Sequence, residues 1–309
     1  SGMAAITNAY RAIAIGEGDF YIAGGVEQMT RAPYVLSKSA QPFGRDVQLF
    51  DSSFGWRFIN PKMKELYGVD GMGETAENLA EIYKISREAQ DEFALHSQQK
   101  ATSAQNSGRL AQEIVNVEIP QKKGEPKIFS QDEFVKPDTT LDKLAKLRPA
   151  FKKEGGSVTA GNSSGLNDGA AAMILASEDA VKKYNLKPLA KIISSAVVGV
   201  EPRIMGIGPV EATKKALSRA NLSLEDMDII ELNEAFAAQA LSVLQELGID
   251  AKDERLNPNG GAIALGHPLG MSGTRIVGTA ALELQKKNKK YALCTLCIGV
   301  GQGYAMIIE

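Results

Sequence analysis

The sequence predicts an α/β protein in which helices cover mainly buried sheets. Short apolar runs alternate with helical patterns, 30 glycines punctuate the 309 residues, and the pattern at the end of the chain is repeated near its beginning. A composition of 44% hydrophobic and 23% charged residues is that of an ordinary globular protein. The chain is therefore expected to form one large or two medium domains.

The second half of the chain shows the alternating elements most clearly. Its hydrophobic patterns predict, in order, a strand at 190–200, a helix at 210–220, a strand at 228–232, helices at 235–247 and 272–287, and strands at 291–297 and 304–308.

Two parts of the first half repeat this ending. Ser1-Gly2 opens a helix that leads to a strand at 20–23 ending in glycine, as Ser272-Gly273 opens the helix that leads to the strand at 291–297. A strand at 172–175 likewise mirrors the last strand of the chain. The sequence therefore predicts a duplicated fold.

The repeat also predicts how the chain is divided. Residues 26–157, with a helix at 86–106, separate two strands that are consecutive in the second copy, so they are read as an inserted lid domain. The first α/β half then comprises 1–25 and 158–186, and the second comprises 187–309. Because the second copy has about 85 residues before its Ser-Gly helix, the first copy is expected to be truncated and to leave apolar side chains uncovered. These are Ile6, Ile13, Ile15, Phe20 and Ile22.

The net charge and the small numbers of cysteines and histidines exclude several classes of function. A net charge of −2 and a pI near 5.9 provide no cationic surface for nucleic acid. Two cysteines cannot build a disulfide framework, and two histidines are too few for a structural zinc site. With no apolar run of membrane length and no secretory signal, we expect a cytoplasmic protein that acts on small molecules without a metal.

Three short segments of the second half have the residues for chemistry. A glycine-rich loop at 257–268 delivers His267 just before a helix, although a lone histidine is often only structural. Cys297 ends a buried strand beside Gly299, whose N–H could face an oxyanion, whereas Cys294 lies on the opposite strand face and is read as a core residue. Asn233 follows the strand at 228–232, where it could cap the next helix, project into a cleft, or do both.

Two glycine- and polar-rich runs are less specific. The run Gly299-x-Gly301-x-Gly303 looks like a nucleotide loop, but a strand follows it where a dinucleotide site needs a helix. The segment 159–169 is small and polar, which suits an extended ligand as well as a plain turn.

Taken together, these segments resemble the thiolase family over essentially the whole chain. Asn233 to Phe236, Gly266 to Pro268 and Cys297-x-Gly299-x-Gly301 match its three C-terminal motifs, and residues 54–61, 68–70 and 74–78 look most like β-ketoadipyl-CoA thiolases. The resemblance implies duplicated βαβαβαββ halves in αβαβα layers, with the first half truncated and a lid inserted. It also implies thiolytic cleavage of 3-oxoacyl-CoA, or the reverse Claisen condensation, by a homodimer or homotetramer.

The resemblance implies a role for each catalytic candidate. His267 would activate a nucleophilic thiolate and help bind the thioester oxygen, and Cys297 would exchange a proton with the substrate α-carbon. Asn233, through an ordered water, would complete one oxyanion site, and the Gly299 N–H would contribute to a second. Val300 stands where many family members have glycine.

Coenzyme A is implied as a substrate, with no permanently bound cofactor. Ser164 would contact its pantetheine and Lys136 its phosphates, while Met72, Ala235 and Phe236 would line the acyl channel.

The nucleophile itself bears on the alternatives. The family has its nucleophilic cysteine in a Cys-x-Ser-Gly motif, and the chain opens at Ser1-Gly2, so that cysteine is expected two positions before Ser1. Two alternatives to a thiolase are an inactive CoA-binding or assembly fragment, and another condensing enzyme of the thiolase superfamily. The second is disfavoured because ketoacyl synthases use a second histidine where Cys297 stands.

Overall fold

The computed structural model describes residues 1–309 and contains ten strands and ten α-helices. The strands are β1 (Phe20–Gln28), β2 (Tyr34–Leu36), β3 (Leu49–Asp51), β4 (Val117–Ile119), β5 (Lys127–Phe129), β6 (Asp168–Ala176), β7 (Ile192–Gly199), β8 (Ile229–Leu232), β9 (Ala292–Ile298) and β10 (Gln302–Ile308). The helices are α1 (Gly2–Ala14), α2 (Pro61–Tyr67), α3 (Met72–Ile82), α4 (Arg87–Asn106), α5 (Leu141–Ala145), α6 (Glu178–Lys183), α7 (Gly208–Ala220), α8 (Ala237–Leu247), α9 (Ala262–Leu265) and α10 (Leu269–Lys287). Three 3₁₀ turns lie at Leu110–Gln112, Pro202–Ile207 and Leu224–Asp226.

Two sheets lie on either side of a central pair of helices. The strands of the second half form a sheet in the order β7-β10-β9-β8, in which only β8 and β9 are parallel. Strands β1 and β6 form a two-stranded antiparallel ribbon. Helices α1 and α10 pack against each other, and α10 contacts strands of both sheets. This layering of helices and sheets confirms the α/β class, and α7 covers the other side of the second sheet.

The two Ser-Gly helices meet in a reciprocal contact. A side chain added at Gly2 would lie 2.4 Å from Thr274 Oγ1, and one added at Gly273 would lie 2.5 Å from the backbone nitrogen of Met3. Each helix therefore needs glycine at the point where the other crosses it. This contact supports the sequence repeat, because the same residue type has the same structural role in both copies.

Several predicted boundaries need correction. β1 runs through Gly24-Gly25 to Gln28 because it pairs with β6 along its whole length, so the glycines do not end it. α10 begins at Leu269, after Pro268 at its N-cap, which places the Ser-Gly pair one turn inside the helix. The third strand that the resemblance implies for the second half is reduced to one parallel bridge between Ile230 and Leu256.

The apolar residues named from the repeat differ in burial. On α1, Ile6 is fully buried and Ile13 is half-buried. In contrast, Ile15 is 73% exposed, Ile22 is 81% exposed and Phe20 is partly exposed. The outer face of the β1–β6 ribbon is therefore apolar and open to solvent in this chain. No helix of the structure is both long and apolar enough to cross a membrane.

Candidate functional site

His267 is held by the first turn of the helix that follows it. Its Nδ1 lies 2.7 Å from Ser272 Oγ, and that hydroxyl donates its single proton to the carbonyl of Pro268 at 3.0 Å. With Ser272 Oγ as the acceptor, Nδ1 bears the ring proton, and Nε2 is unprotonated and can accept a hydrogen bond. Burial, and secondly the charge of Arg275, lower the pKa of His267 to about 4. The ring is neutral at pH 7 and has a basic nitrogen available.

Asn233 faces that basic nitrogen. It directly follows β8, and its Nδ2 lies 3.3 Å from His267 Nε2, so the amide donates to the imidazole. Its Oδ1 is buried and has no hydrogen-bond partner in the chain. A buried acceptor of this kind is suited to a water or a substrate group bound in the site. Asn233 therefore lies beside His267, and its role toward a substrate stays a prediction.

Cys297 reaches the same region from the neighbouring strand. β8 and β9 are parallel, and the Asn233 N–H donates to the Thr295 carbonyl at 3.0 Å, so Asn233 and Cys297 lie at adjacent carboxyl ends. Cys297 packs with Met205 and Ala235 in a small apolar cluster. Burial raises the pKa of its thiol to about 12. The group is therefore protonated at neutral pH and can donate a proton.

The turn after Cys297 provides an uncommitted donor. The Gly299 N–H makes no hydrogen bond within the chain, and the space beside its α-carbon is open. Val300 at the centre of the turn has φ of 65°, a left-handed conformation that is unusual for a β-branched residue. The turn thus keeps the Gly299 N–H available next to Cys297.

The predicted acyl-channel residues come together around the thiol. Met72, at the start of α3, and Phe236, at the N-cap of α8, both pack against the cluster of Met205, Ala235 and Cys297. The ring of Phe151 meets that of Phe236 edge to face, with centroids 6.0 Å apart. An apolar wall therefore surrounds the Cys297 thiol.

The two residues predicted to contact coenzyme A lie farther out. The N–H and the hydroxyl of Ser164 both donate to the carbonyl of Ala235, at 3.0 and 3.1 Å. Lys136 is exposed, and its Nζ lies 4.7 Å from the ring centre of Phe134, which in turn lies against Gly165. Both residues thus lie beside one segment, and their roles toward coenzyme A stay predictions.

Sequence reasoning missed several residues that shape the site. Ser272 sets the tautomer of His267, and a hydroxyl at the start of the helix that follows the histidine was the available signal. Met205 belongs to the wall around Cys297, but it lies in a 3₁₀ turn whose hydrophobic pattern predicts no functional site. Arg275 lies near His267, and its Nη1 lies 3.4 Å from Oε2 of the buried Glu231. The spacing of these residues in the sequence does not predict this contact.

Comparison with known proteins extends these observations to the whole chain. Residues 1–179 match the family model "Thiolase, N-terminal domain", and residues 186–309 match "Thiolase, C-terminal domain". The chain is 59% identical to a β-ketoadipyl-CoA thiolase of Acinetobacter baylyi and 57% identical to a 3-oxoadipyl-CoA/3-oxo-5,6-dehydrosuberyl-CoA thiolase of Escherichia coli. In both cases all of the chain and 77% of the relative are aligned.

Solved structures agree with these sequence matches. Human mitochondrial 3-ketoacyl-CoA thiolase is similar with a TM-score of 0.91 and 46% identity, over 100% of this chain and 76% of that one. Its complex with CoA is similar with a TM-score of 0.90. The named relatives are enzymes, which favours an enzyme over the inactive fragment considered from the sequence.

Proposed function

Because this chain belongs to the thiolase family, we propose that it cleaves 3-oxoadipyl-CoA and related 3-oxoacyl-CoA substrates with free CoA, and catalyses the reverse Claisen condensation. The observation that carries the proposal is the neutral His267, whose Nε2 faces Asn233 beside the protonated Cys297. The choice of 3-oxoadipyl-CoA, whose acyl group derives from a dicarboxylic acid, is supported by the names of the relatives that align over the full chain.

In the proposed cleavage, the unprotonated Nε2 of His267 takes the proton of a nucleophilic thiol, and the thiolate attacks the 3-oxo carbon. The bond between C2 and C3 breaks, and the electron pair passes to the acetyl-CoA enolate. Cys297 gives its proton to the enolate carbon, which yields acetyl-CoA. The Cys297 thiolate then takes the thiol proton of CoA, and the CoA sulfur attacks the acyl-enzyme. The nucleophilic cysteine leaves as a thiolate and regains its proton from His267, which restores both groups. The nucleophile is the cysteine of the family's Cys-x-Ser-Gly motif, whose last two residues match Ser1-Gly2.

Oxyanions form at both carbonyls during this sequence. His267 and a water that donates a hydrogen bond to Asn233 Oδ1 stabilise one oxyanion. The Gly299 N–H, which has no partner within the chain, stabilises the other. Donors held in place by the fold stabilise developing charge without reorganising.

Coenzyme A acts as a substrate and is released in each turnover. Ser164 and Lys136 contact its pantetheine and its phosphates, and the wall of Met72, Ala235 and Phe236 holds the acyl group. A homodimer or homotetramer is part of the proposal, supported by exposed apolar residues of the β2–β3 hairpin such as Tyr34 and Leu36. Light scattering at several concentrations tests it. The cytoplasmic location stays a prediction.

The activity is tested with protein expressed from the natural start of its gene. Consumption of 3-oxoadipyl-CoA in the presence of CoA is followed beside acetoacetyl-CoA and a long-chain 3-oxoacyl-CoA. We expect CoA-dependent formation of acetyl-CoA, the highest kcat/KM with 3-oxoadipyl-CoA, and a loss of at least about a hundredfold in His267→Gln. Absence of acetyl-CoA formation from all three substrates would refute the proposal, and preference for acetoacetyl-CoA would refute its substrate class.

A further inference from the structure

The carboxylate of Glu234 is a buried junction between three parts of the chain. Glu234 is 2% exposed and follows Asn233 directly. It accepts hydrogen bonds from Ser97 Oγ at 2.6 Å, from Asn257 Nδ2 at 2.7 Å and from the Ile263 N–H at 3.2 Å. Ser97 belongs to α4 of the insertion, while Asn257 and Ile263 belong to the loop that delivers His267. One side chain thus joins the insertion to both catalytic segments.

The loop lies directly on this carboxylate and on α4. A side chain added at Gly261 would lie 2.2 Å from Glu234 Cδ, and one added at Gly260 would lie 2.7 Å from the backbone of Ala101. The Gly261 N–H also donates to Ser97 Oγ at 3.1 Å, so the serine hydroxyl donates a hydrogen bond to Glu234 while it accepts one from the loop. The loop therefore has little freedom to shift while α4 is in place.

The same junction fixes the strand that ends at Asn233. Asn257 Oδ1 accepts from the Leu232 N–H, and Asn257 Nδ2 donates to the Leu232 carbonyl, both at 2.9 Å. The second proton of that amide goes to Glu234. Leu232 and Glu234 flank Asn233, so the carboxylate and the Asn257 amide together set the position of Asn233 relative to His267.

From this arrangement we infer that Glu234 is a positioning residue for the Asn233–His267 pair, and that its bond to Ser97 makes the docking of α4 a requirement for fast turnover. The inference rests on the proposed function, since it assigns turnover to that pair. A misplacement of about 1 Å at a reacting group costs up to about a hundredfold in rate. A residue with a merely structural role would lower stability and leave the turnover of folded enzyme unchanged.

Ser97→Ala tests the inference, and Ser242→Ala is its matched control. Ser97→Ala removes one donor from the carboxylate and the acceptor of the Gly261 N–H. Ser242 is equally buried, but its hydroxyl bonds only the Ala238 carbonyl, at 2.8 Å within α8. Glu234→Gln serves as a second variant, because it keeps the shape and replaces one accepting oxygen by a donor. All are made in protein expressed from the natural start of its gene.

Two measurements distinguish the outcomes. We expect kcat to fall about tenfold in Ser97→Ala and further in Glu234→Gln, with KM for CoA within about twofold, while Ser242→Ala keeps the parental kcat. Amide hydrogen exchange in residues 257–266 should accelerate in the first two variants and not in the control. Parental kcat and parental loop exchange in folded Ser97→Ala and Glu234→Gln would overturn the inference. If the unsubstituted enzyme shows no thiolysis, the proposed function fails, whereas the exchange comparison still decides whether Glu234 and Ser97 order the loop.

Discussion

Two buried cysteines on one strand allow a matched test of the proton donor. Cys294 and Cys297 are both free, at 0% and 5% exposure, and their separation of three residues places them on opposite faces of β9. Replacing either by alanine removes one sulfur atom from a packed environment. Each variant should therefore lose about 1 kcal/mol of unfolding free energy, and chemical denaturation should show both as folded.

The two replacements should differ in activity alone. Cys297→Ala removes the thiol that we propose as the proton donor. Because general acid–base catalysis contributes about 10²–10⁴-fold, kcat for thiolysis should fall by that factor. Cys294 lies in the core between β9 and α10, with Sγ 3.6 Å from the Ile276 carbonyl. Its alanine variant should keep kcat within about twofold, because it touches no group of the site.

Steady-state thiolysis, measured on the same preparations as the unfolding curves, decides the matter. Cys297→Ala with activity within a few-fold of the parent would remove this thiol from the mechanism. An equal loss in both variants would show that packing of β9, and not proton transfer, is responsible.

Three further predictions concern stability. Val300→Gly should raise the free energy of unfolding in urea by roughly 0.5–1 kcal/mol. The left-handed φ of 65° strains valine, and removing this strain outweighs the entropy cost of glycine. A lower midpoint of unfolding would contradict this. The contribution of His267 to the unfolding free energy should fall by about 3 kcal/mol as the pH drops from 6.5 to 4, because this histidine takes up its proton first in the unfolded state. The difference in unfolding free energy between the parent and His267→Gln should change by this amount over that pH range, and a constant difference would contradict the prediction. Glu231 acts in the opposite direction. Burial raises the pKa of Glu231 to about 8, so the folded state holds this proton more tightly than the unfolded state. The resulting contribution to the unfolding free energy, at most about 5 kcal/mol, is lost as the pH rises from 4.5 to 8. Glu231→Gln should flatten this decline, and an unchanged slope would exclude the residue as its cause.

The sequence could predict those parts of the site that depend on local chemistry. Asn233, His267 and Cys297 each stand at the end of a strand or in a loop before a helix, and such positions are visible from hydrophobic patterns alone. Their convergence could be expected because β8 and β9 bring their carboxyl ends to the same edge. The opposite orientation of Cys294 followed from the two-residue period of a strand.

Boundaries were harder to predict because tertiary contacts decide them. Gly24-Gly25 would usually end a strand, yet the full pairing of β1 with β6 extends it to Gln28. Likewise, α10 starts three residues earlier than its polar start signal at Ser272, because Pro268 can precede a first helical turn as its N-cap. The bridge between Ile230 and Leu256 shows the converse, since a strand that the resemblance implies is shortened where the Asn257 side chain replaces backbone pairing.

The geometry of the β1–β6 ribbon explains how a long insertion can contact a distant part of the chain. β1 and β6 pair in continuous register up to Gln28 opposite Asp168, and Thr30 donates to the Asp168 carboxylate through its N–H at 2.9 Å. The chain therefore leaves and re-enters the ribbon at the same point, so the insertion can be long without distorting the pairing of these strands. Its helix α4 then lies against the loop of the second half and places Ser97 on Glu234, 137 residues away in sequence. No periodicity encodes a contact at that separation, and in our inference it is this contact that makes the insertion part of the catalytic geometry.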